Sequence, residues 1–183
     1  ITEPTGSVTT LSLVGSGGSI SLLAAGNHIA AIGGGGENLT ATAGTLSIVN
    51  GTSLNVAGTV SASGNVYLQT PSGSGVGFGA ASTVIAGGIA GFLTDSFNPT
   101  GFGSVFATTF ELAPSTMGAR ETLGGVGSTL ASLNGVNADL VRIGAVTGPV
   151  SGLTITAGSI GVAGNFGNGS TNLELASLGN ISQ

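Results

Sequence analysis

Short phrases recur along this chain at offsets that share a common spacing. FELAPS at 110–115 resembles LELASL at 173–178, an offset of 63, and YLQTPS at 67–72 precedes FELAPS at an offset of 43. VAG occurs at 56–58 and again at 162–164, an offset of 106 that equals the other two offsets combined. All three offsets lie near multiples of about 21, so the sequence predicts a series of similar units of that length.

The residues within each unit alternate between apolar and small polar side chains. Runs such as SVTTLSLV (7–14), NVYLQT (65–70) and TNLELA (171–176) are separated by glycine, serine or asparagine. Alternation with many β-branched residues is typical of strands with one buried face, and glycine clusters are typical of turns. The most helix-like stretch, 127–140, is interrupted by Asn134-Gly135. We therefore expect an all-β chain.

A unit of this length with two or three short strands fits one rung of a β-solenoid. Strands of successive rungs would pair in register about 4.8 Å apart, with inward aliphatic side chains stacked as a ladder. Glycine would serve the corners, where a positive φ is needed. The sequence predicts a single module over 1–183 with about eight to nine rungs.

The composition supports a packed core and excludes several functions. Glycine makes up 36 of the 183 residues and charged residues only 5%, yet 40% are hydrophobic and the mean hydropathy is +0.53, unlike a disordered chain. There is no cysteine, so apolar packing must stabilise the fold. Arg120 and Arg142 are the only basic residues besides one histidine, too few for nucleic-acid binding. Every apolar run is shorter than the ~18–20 residues of a membrane-spanning helix.

One stretch, 76–104, does not follow the spacing, and we interpret it as a protruding loop or a broken rung. Its phenylalanines would cover a gap in the ladder, and Asp95 with Asn98-Pro99 would mark an exposed tip. The predicted contact loop consists of Phe92, Asp95, Phe97 and Phe102.

The two ends of the chain carry the same pattern of residues. Ile1-Thr2-Glu3 and Ile181-Ser182-Gln183 each read isoleucine, hydroxyl residue, then a carboxylate or its amide. Isolated repeat proteins cover their terminal units with polar caps, and neither end has such a cap. These six residues are therefore predicted to be assembly ends, where copies of the chain meet head to tail. A second ITEPTG directly after Gln183 would make the chain one period of a longer array.

Several phrases resemble a known family. ITEPTG, TLSLVGSGGSISLLAAGNHIAAIG, LSIVNGT (46–52), FELAPS, LASLNGVNADLVRIGAV and LELASLGNISQ are similar to repetitive bacterial surface proteins of the filamentous-haemagglutinin type, which are exported by two-partner or autotransporter routes. The resemblance implies a right-handed parallel β-helix, displayed outside the cell as a stalk, adhesin or fibre. These 183 residues depart from that family in containing no recognisable secretion domain.

The charged residues offer little for catalysis. Glu111 and Glu174 occupy equivalent places in the repeats and would lie three rungs, or about 14 Å, apart, too far for a glycosidase pair. Asp139 and Arg142 are three residues apart and should point to opposite faces of a strand. His28 is the single histidine and lacks nearby ligands.

We therefore expect no enzyme, no cofactor and no metal site. The main hypothesis is a structural extracellular module. The alternative is a carbohydrate-binding or polysaccharide-cleaving β-helix with 76–104 as its binding edge and host or environmental glycans as partners.

Overall fold

A computed structural model describes residues 1–3, 5–98, 103–124, 130, 133–148, 152–164 and 170–183. These residues form strands and turns, without an α-helix among them, which confirms the expected all-β class. The strands are β1 (Thr9–Thr10), β2 (Gly15–Gly17), β3 (Ile20–Leu22), β4 (His28–Ile29), β5 (Ala31–Ile32), β6 (Leu39–Ala41), β7 (Leu46–Val49), β8 (Leu54–Val56), β9 (Thr59–Ala62), β10 (Val66–Gln69), β11 (Gly75–Phe78), β12 (Thr83–Ala86), β13 (Ile89–Leu93), β14 (Ser96–Asn98), β15 (Ser104–Ala113), β16 (Arg120–Leu123), β17 (Val136–Ile143), β18 (Ala145–Thr147), β19 (Leu153–Ile155), β20 (Ser159–Val162), β21 (Ser170–Leu175) and β22 (Ile181–Ser182).

The largest sheet has 11 strands arranged in two limbs that join at β15. Limb 1 consists of β2, β6, β9 and β12, and limb 2 consists of β3, β7, β10 and β13. The first half of β15 pairs with β12 and its second half with β13, so this long strand connects the limbs. β17 and then β21 extend the stack beyond β15.

Two smaller sheets lie beside the large one. The four-stranded sheet has the order β14-β11-β8-β5, and the three-stranded sheet has the order β16-β20-β22. The chain passes in turn through the four-stranded sheet, limb 1 and limb 2, as in β8, β9 and β10 and again in β11, β12 and β13. Because each pass pairs with the previous one in parallel, every pass adds one level to the stack.

The sequence offset between paired residues measures the length of each pass. Along limb 2, Leu22 pairs with Ile48, then Leu68, Phe92 and Leu112, at successive offsets of 26, 20, 24 and 20. These values bracket the predicted spacing. The next two passes are longer, because Ile143 and Leu175 follow at offsets of 31 and 32.

Register pairing places buried side chains directly above one another. In limb 2, the inward column consists of Ile20, Leu46, Val66, Ala90, Phe110 and Val141. In limb 1, the inward column consists of Leu39, Val60, Val84, Val105 and Val136. Every member is at most 1% exposed. Full burial of such an aliphatic side chain contributes about 1.5–3 kcal/mol relative to exposure, so these columns form the core.

The long strands turn a corner where they pass from limb 1 to limb 2. The inward residues of β15 are Val105 and Ala107 on one side of the corner and Phe110 on the other. The interval of three residues between Ala107 and Phe110 replaces the usual interval of two. This break lets one strand present apolar side chains to the core on both limbs.

The predicted excursion at 76–104 is wrong for the described part of that stretch. Residues 76–98 form the later part of β11 and all of β12, β13 and β14, and each of these strands pairs in register with its neighbours. Glycines in these strands interrupt the alternating pattern that predicts a strand. They lie where a side chain would collide with a neighbouring strand. A Cβ on Gly91 would lie 2.8 Å from Cδ1 of Tyr67, and one on Gly75 would lie 3.0 Å from Cβ of Ser96.

The excursion from the stack occurs later in the chain, after β17. β18 and β19 pair antiparallel, with Ala145 opposite Ile155 and Thr147 opposite Leu153. All other pairings between the named strands of the described residues are parallel. This hairpin, β18 to β19, packs on the outside of limb 2, where a Cβ on Gly91 would lie 3.1 Å from Cγ2 of Val146.

Candidate assembly surfaces

The described strands have a neighbour on one side at the two edges of the stack, and also at the break between the two smaller sheets, where β14 and β16 are end strands. At the first edge, Thr2 bridges Ser21, β1 pairs with β4, and β2 pairs with β6. At the second edge, β21 pairs with β17, and β22 pairs with β20. We call these the start edge and the finish edge.

Exposed aliphatic side chains are concentrated at these two edges. Ile1, Leu11 and Val14 are exposed at the start edge, and Leu173, Leu178 and Ile181 at the finish edge. Exposed apolar groups along open strand edges favour pairing with another chain.

The predicted residues at the start edge are held by the next pass of the chain. Ser21 donates its amide to the carbonyl of Ile1 at 2.8 Å, and Glu3 donates its amide to the carbonyl of Ser21 at 3.1 Å. The Glu3 carboxylate accepts hydrogen bonds from the Ala24 amide and from Nδ2 of Asn27 at 3.3 and 3.0 Å. Ile1 is level with Ile20 and so extends the limb 2 column to this edge.

The limb 2 column also reaches the finish edge, where Leu173 is its last residue. Leu173 pairs with Val141 and is 43% exposed, although Val141 itself is fully buried. Ile181 pairs with Ile160 and Ser182 with Gly161, and Gln183 is exposed. The six predicted end residues therefore lie at two edges where inward columns meet solvent.

Buried polar side chains bind the backbone at the corner that follows limb 2. Oδ1 of Asn50 accepts from the Ile29 amide at 2.8 Å, and its Nδ2 donates to the Ile29 carbonyl at 2.9 Å. Farther along the stack, the hydroxyl of Thr70 donates to that of Thr94 at 2.8 Å. These bonds connect successive levels and satisfy groups that would be costly to bury alone.

Asp95, predicted at an exposed tip, instead connects three levels at this corner. Its carboxylate accepts hydrogen bonds from the Gly73 amide at 2.6 Å and from the Thr116 amide at 2.7 Å. Burial alone would raise the pKa of Asp95, but hydrogen bonds from Gly73, Thr116 and Ser115 outweigh it and lower the pKa. Asp95 therefore stabilises the stack as a carboxylate.

The predicted contact loop is also wrong for its described phenylalanines. Phe92 is fully buried and Phe97 is 7% exposed. Their ring centroids are 4.8 Å apart, and both rings pack against Phe110 at 5.5 and 5.4 Å. Phe102 lies outside the described residues. The aromatic rings thus fill the interior of the stack and bury a large apolar area there.

A charged column lies on the outer side of limb 2, under the hairpin. Glu111 pairs in register with Arg142, and Arg142 with Glu174. Arg142 forms ion pairs with both carboxylates, at 3.0 Å between its Nε and the Glu174 carboxylate. Glu111 is fully buried and also accepts from the amide and hydroxyl of Thr147 in the hairpin.

This arrangement corrects two expectations about charged residues. Glu111 and Glu174 are two strands apart rather than three, and Glu111 is buried rather than solvated. Asp139 and Arg142 both point outward, because the corner of β17 lies between them, between inward Ala138 and Val141. Arg142 lies between Glu111 and Glu174 and forms an ion pair with each, so the two carboxylates do not face one another as a catalytic pair would.

A shallow groove lies beside the hairpin, lined by Leu23, Val49, Tyr67, Gln69, Leu93 and Val146 among others. Burial raises the pKa of Tyr67, and the charge of nearby Glu111 raises it further, against a hydrogen bond from Asn65. The Tyr67 hydroxyl accepts that bond from Nδ2 of Asn65 at 3.1 Å. The ring is therefore a neutral wall of the groove.

Limb 1 carries an apolar patch on its outer side. Ile85 and Phe106 are register partners and are 42% and 44% exposed. Asn137 pairs with Phe106 on the next strand and is exposed. Reasoning from sequence missed this patch, although alternation from inward Val105 places Phe106 outward.

The described residues contain no group of three or more histidine, cysteine, aspartate or glutamate side chains that could hold a metal ion. Within the same residues, no helix is long and apolar enough to span a membrane. Nδ1 of His28 lies 2.7 Å from the carbonyl oxygen of Gly26, a local contact in a turn. Comparisons with protein-family models, with curated proteins and with solved structures gave no match for this chain.

Proposed function

We propose that this chain is a β-solenoid and serves as a structural module that stacks end to end into a stiff rod. The observation that carries the proposal is the inward column of limb 2, which runs through successive levels and ends in exposed Ile1 and Leu173 at the two edges. A second chain aligned on either edge would continue the column and supply the missing backbone partners.

Right-handed winding is part of the proposal. A strand, crossover and parallel strand in one sheet connect with a right hand in about 98% of cases, because of the twist of the strands. Each pass of this chain makes such a connection, for example from β10 through β11 and β12 to β13.

The proposed location of the rod is the outside of a bacterial cell, as a stalk, adhesin or filament, on the basis of the resemblance of its sequence to filamentous-haemagglutinin-like proteins. A core made of aliphatic columns and few ionisable groups suits an exposed location, because little of its stability depends on proton binding. Labelling of intact cells with antibodies to the chain tests this location. Signal only after cell lysis would count against it.

Self-association is tested by a lysine substitution at the finish edge with a matched control on the side. Leu173→Lys places a charge where a second chain would dock, whereas Ile85→Lys changes an equally exposed residue of the lateral surface, 42% against 43%. In sedimentation velocity and electron microscopy we expect wild type and Ile85→Lys to form elongated assemblies and Leu173→Lys to remain monomeric. Assembly that is equal in all three, or missing from wild type, would refute end-to-end stacking.

The exposed Phe106 supports a second candidate function, glycan binding on the outer side of limb 1. Aromatic faces beside amide and hydroxyl groups stack on sugar rings, and Phe106 lies beside Asn137 and two strands from Ser61. Phe97, which lies in the stretch 76–104 that the sequence suggested as the binding edge, is buried. Glycan-array binding that is lost in Phe106→Ala and kept in Thr40→Ala would support this function, and binding unchanged in Phe106→Ala would refute it.

A further inference from the structure

The dipeptide Asn-Gly occurs three times in the chain, at 50–51, 134–135 and 168–169, and the last copy lies outside the described residues. Asparagine is chemically least stable in this dipeptide, because glycine has no side chain to keep its main-chain nitrogen away from the asparagine side chain. The two described copies lie in opposite environments, so the structure predicts a different fate for each.

The first copy is buried, and both of its reacting groups are held in hydrogen bonds. Asn50 is 2% exposed, and its Nδ2 donates to the carbonyls of Ile29 at 2.9 Å and Thr52 at 3.0 Å. The main-chain amide of Gly51 donates to the carbonyl of Asn27 at 2.6 Å. Attack of the Gly51 nitrogen on the Asn50 side chain would have to break this network first.

The second copy lies in an exposed turn at the entry to β17. The turn is closed by the amide of Val136, which donates to the carbonyl of Leu133 at 2.9 Å. Asn134 and Gly135 between them are both exposed, and Gly135 has a φ of 100°, a conformation that favours glycine. Within the described part of the chain, neither the Asn134 side chain nor the Gly135 amide forms a hydrogen bond. Both reacting groups are therefore free to meet.

We infer that Asn134 is a site of spontaneous modification, at which the side-chain amide is lost as ammonia. The main-chain nitrogen of Gly135 gives up its proton and attacks Cγ of Asn134, which forms a C–N bond and closes a succinimide ring. The bond from Cγ to Nδ2 breaks, and ammonia leaves with a proton in place of the one given up. Water then opens the ring at either carbonyl and yields aspartate or isoaspartate. The reaction needs water alone, and the inference does not depend on the proposed stacking.

The site lies where a change in the main chain would disturb the joint between β15 and β17. Both products add a negative charge, and isoaspartate also lengthens the main chain by one carbon atom. Leu133 and Val136 on either side are 0% and 1% exposed, and a Cβ on Gly135 would lie 2.7 Å from the carbonyl oxygen of Gly103. The Gly135 carbonyl also accepts from the amide of Val105 at 2.9 Å. We therefore expect isoaspartate at 134 to destabilise the fold.

Peptide mapping by mass spectrometry tests the reactivity of the two sites in the full chain. The protein is incubated at mildly alkaline pH, folded in one sample and unfolded in urea in the other, and the products at Asn50 and Asn134 are quantified. In the unfolded chain we expect similar rates, because glycine follows both residues. In the folded chain Asn134 should react at least about tenfold faster than Asn50, which reacts only after local unfolding. Equal rates in the folded chain, or no product at Asn134, would overturn the inference.

The variant Asn134→Ser tests the effect of the modification on the fold. Serine is favoured in turns and has no amide to lose, and the variant keeps the other two Asn-Gly copies. After incubation in the folded state, the midpoint of thermal unfolding should fall in wild type as isoaspartate accumulates, and it should stay at its starting value in Asn134→Ser. Equal falls in the two proteins would overturn the assignment of the damage to the entry of β17.

Discussion

Replacing Phe92 by alanine tests whether the stretch 76–98 belongs to the core. The Phe92 ring is fully buried, and its centroid lies 4.8 Å from that of Phe97 and 5.5 Å from that of Phe110. Removal of a buried phenylalanine ring typically costs about 3–5 kcal/mol, from lost transfer free energy and from the cavity. For a chain of this length, that loss lowers the midpoint of thermal unfolding by roughly 6–20 °C.

Phe106→Ala is the matched control, because Phe106 lies on the strand next to β13 and is 44% exposed. We expect it to lower the free energy of unfolding by less than about 1 kcal/mol. Equilibrium urea unfolding followed by far-ultraviolet circular dichroism measures both values. Equal small losses in the two variants would refute the placement of Phe92 in the core. If Phe92→Ala does not fold, Phe92→Leu should still lose about 1–2 kcal/mol.

Three further predictions test contacts in other parts of the stack. Gly91→Ala should lower the free energy of unfolding by about 1–3 kcal/mol, because its Cβ would meet Tyr67 and Val146. Gly18→Ala, with open space around its Cβ, should leave the free energy of unfolding unchanged or slightly higher. Equal midpoints of urea unfolding in the two variants would contradict this. Glu111→Ala should lose about 3–5 kcal/mol, since it leaves Arg142 and Thr147 without their buried acceptor. Glu174→Ala removes a side chain that is 42% exposed and should lower the free energy of unfolding by at most about 1 kcal/mol. Comparable losses in Glu111→Ala and Glu174→Ala would refute the buried charged column. The lowered pKa of Asp95 stabilises the fold above the ordinary value of about 3.9, and this contribution is lost as the pH falls through the folded pKa. Thermal midpoints measured from pH 6 to pH 2 should therefore fall less in Asp95→Asn than in wild type, and identical slopes would contradict the assignment.

The strand class, and the spacing of the passes up to Leu112, could be predicted because both depend on local pattern. The offset of 63 between FELAPS and LELASL was misassigned, because it spans two long passes and not three units of 21. Alternation of inward and outward residues is a property of each strand, and the recurrence of FELAPS as LELASL reflects a shared column: Phe110 and Leu173 both align with Val141. The alignment of YLQTPS with FELAPS was off by one residue, because Tyr67 is level with Glu111 rather than Phe110.

The stretch 76–98 was misread because its glycines reflect contacts with neighbouring levels and not local conformation. Position 91 has room only for glycine, because Tyr67 in the neighbouring strand and Val146 in a hairpin much later in the chain both lie against it. Glycine within a strand often marks such a close approach, but one sequence does not reveal which residue approaches. The same holds for Glu111, whose burial depends on the hairpin that contains Thr147.

The greater length of the passes after β15 could not be predicted from local sequence pattern either. Extra length in a pass can form a loop or an insertion without disturbing the register, so Leu112 and Ile143 still pair although the pass between them exceeds the predicted spacing. The hairpin of β18 and β19 occupies part of this extra length in the pass that follows.

In-register parallel pairing of successive passes is tested most directly by engineered cysteine pairs, since the chain has no cysteine of its own. Thr40 and Ser61 are register partners whose hydroxyls are 3.0 Å apart, and paired strands bring such Cα atoms within the range that a disulfide spans. Thr40→Cys with Ser61→Cys should form an intramolecular disulfide rapidly on mild oxidation, whereas Thr40→Cys with Ser63→Cys, shifted by two residues, should not. Efficient cross-linking of the shifted pair and failure of the register pair would contradict the stacked columns on which the whole account depends.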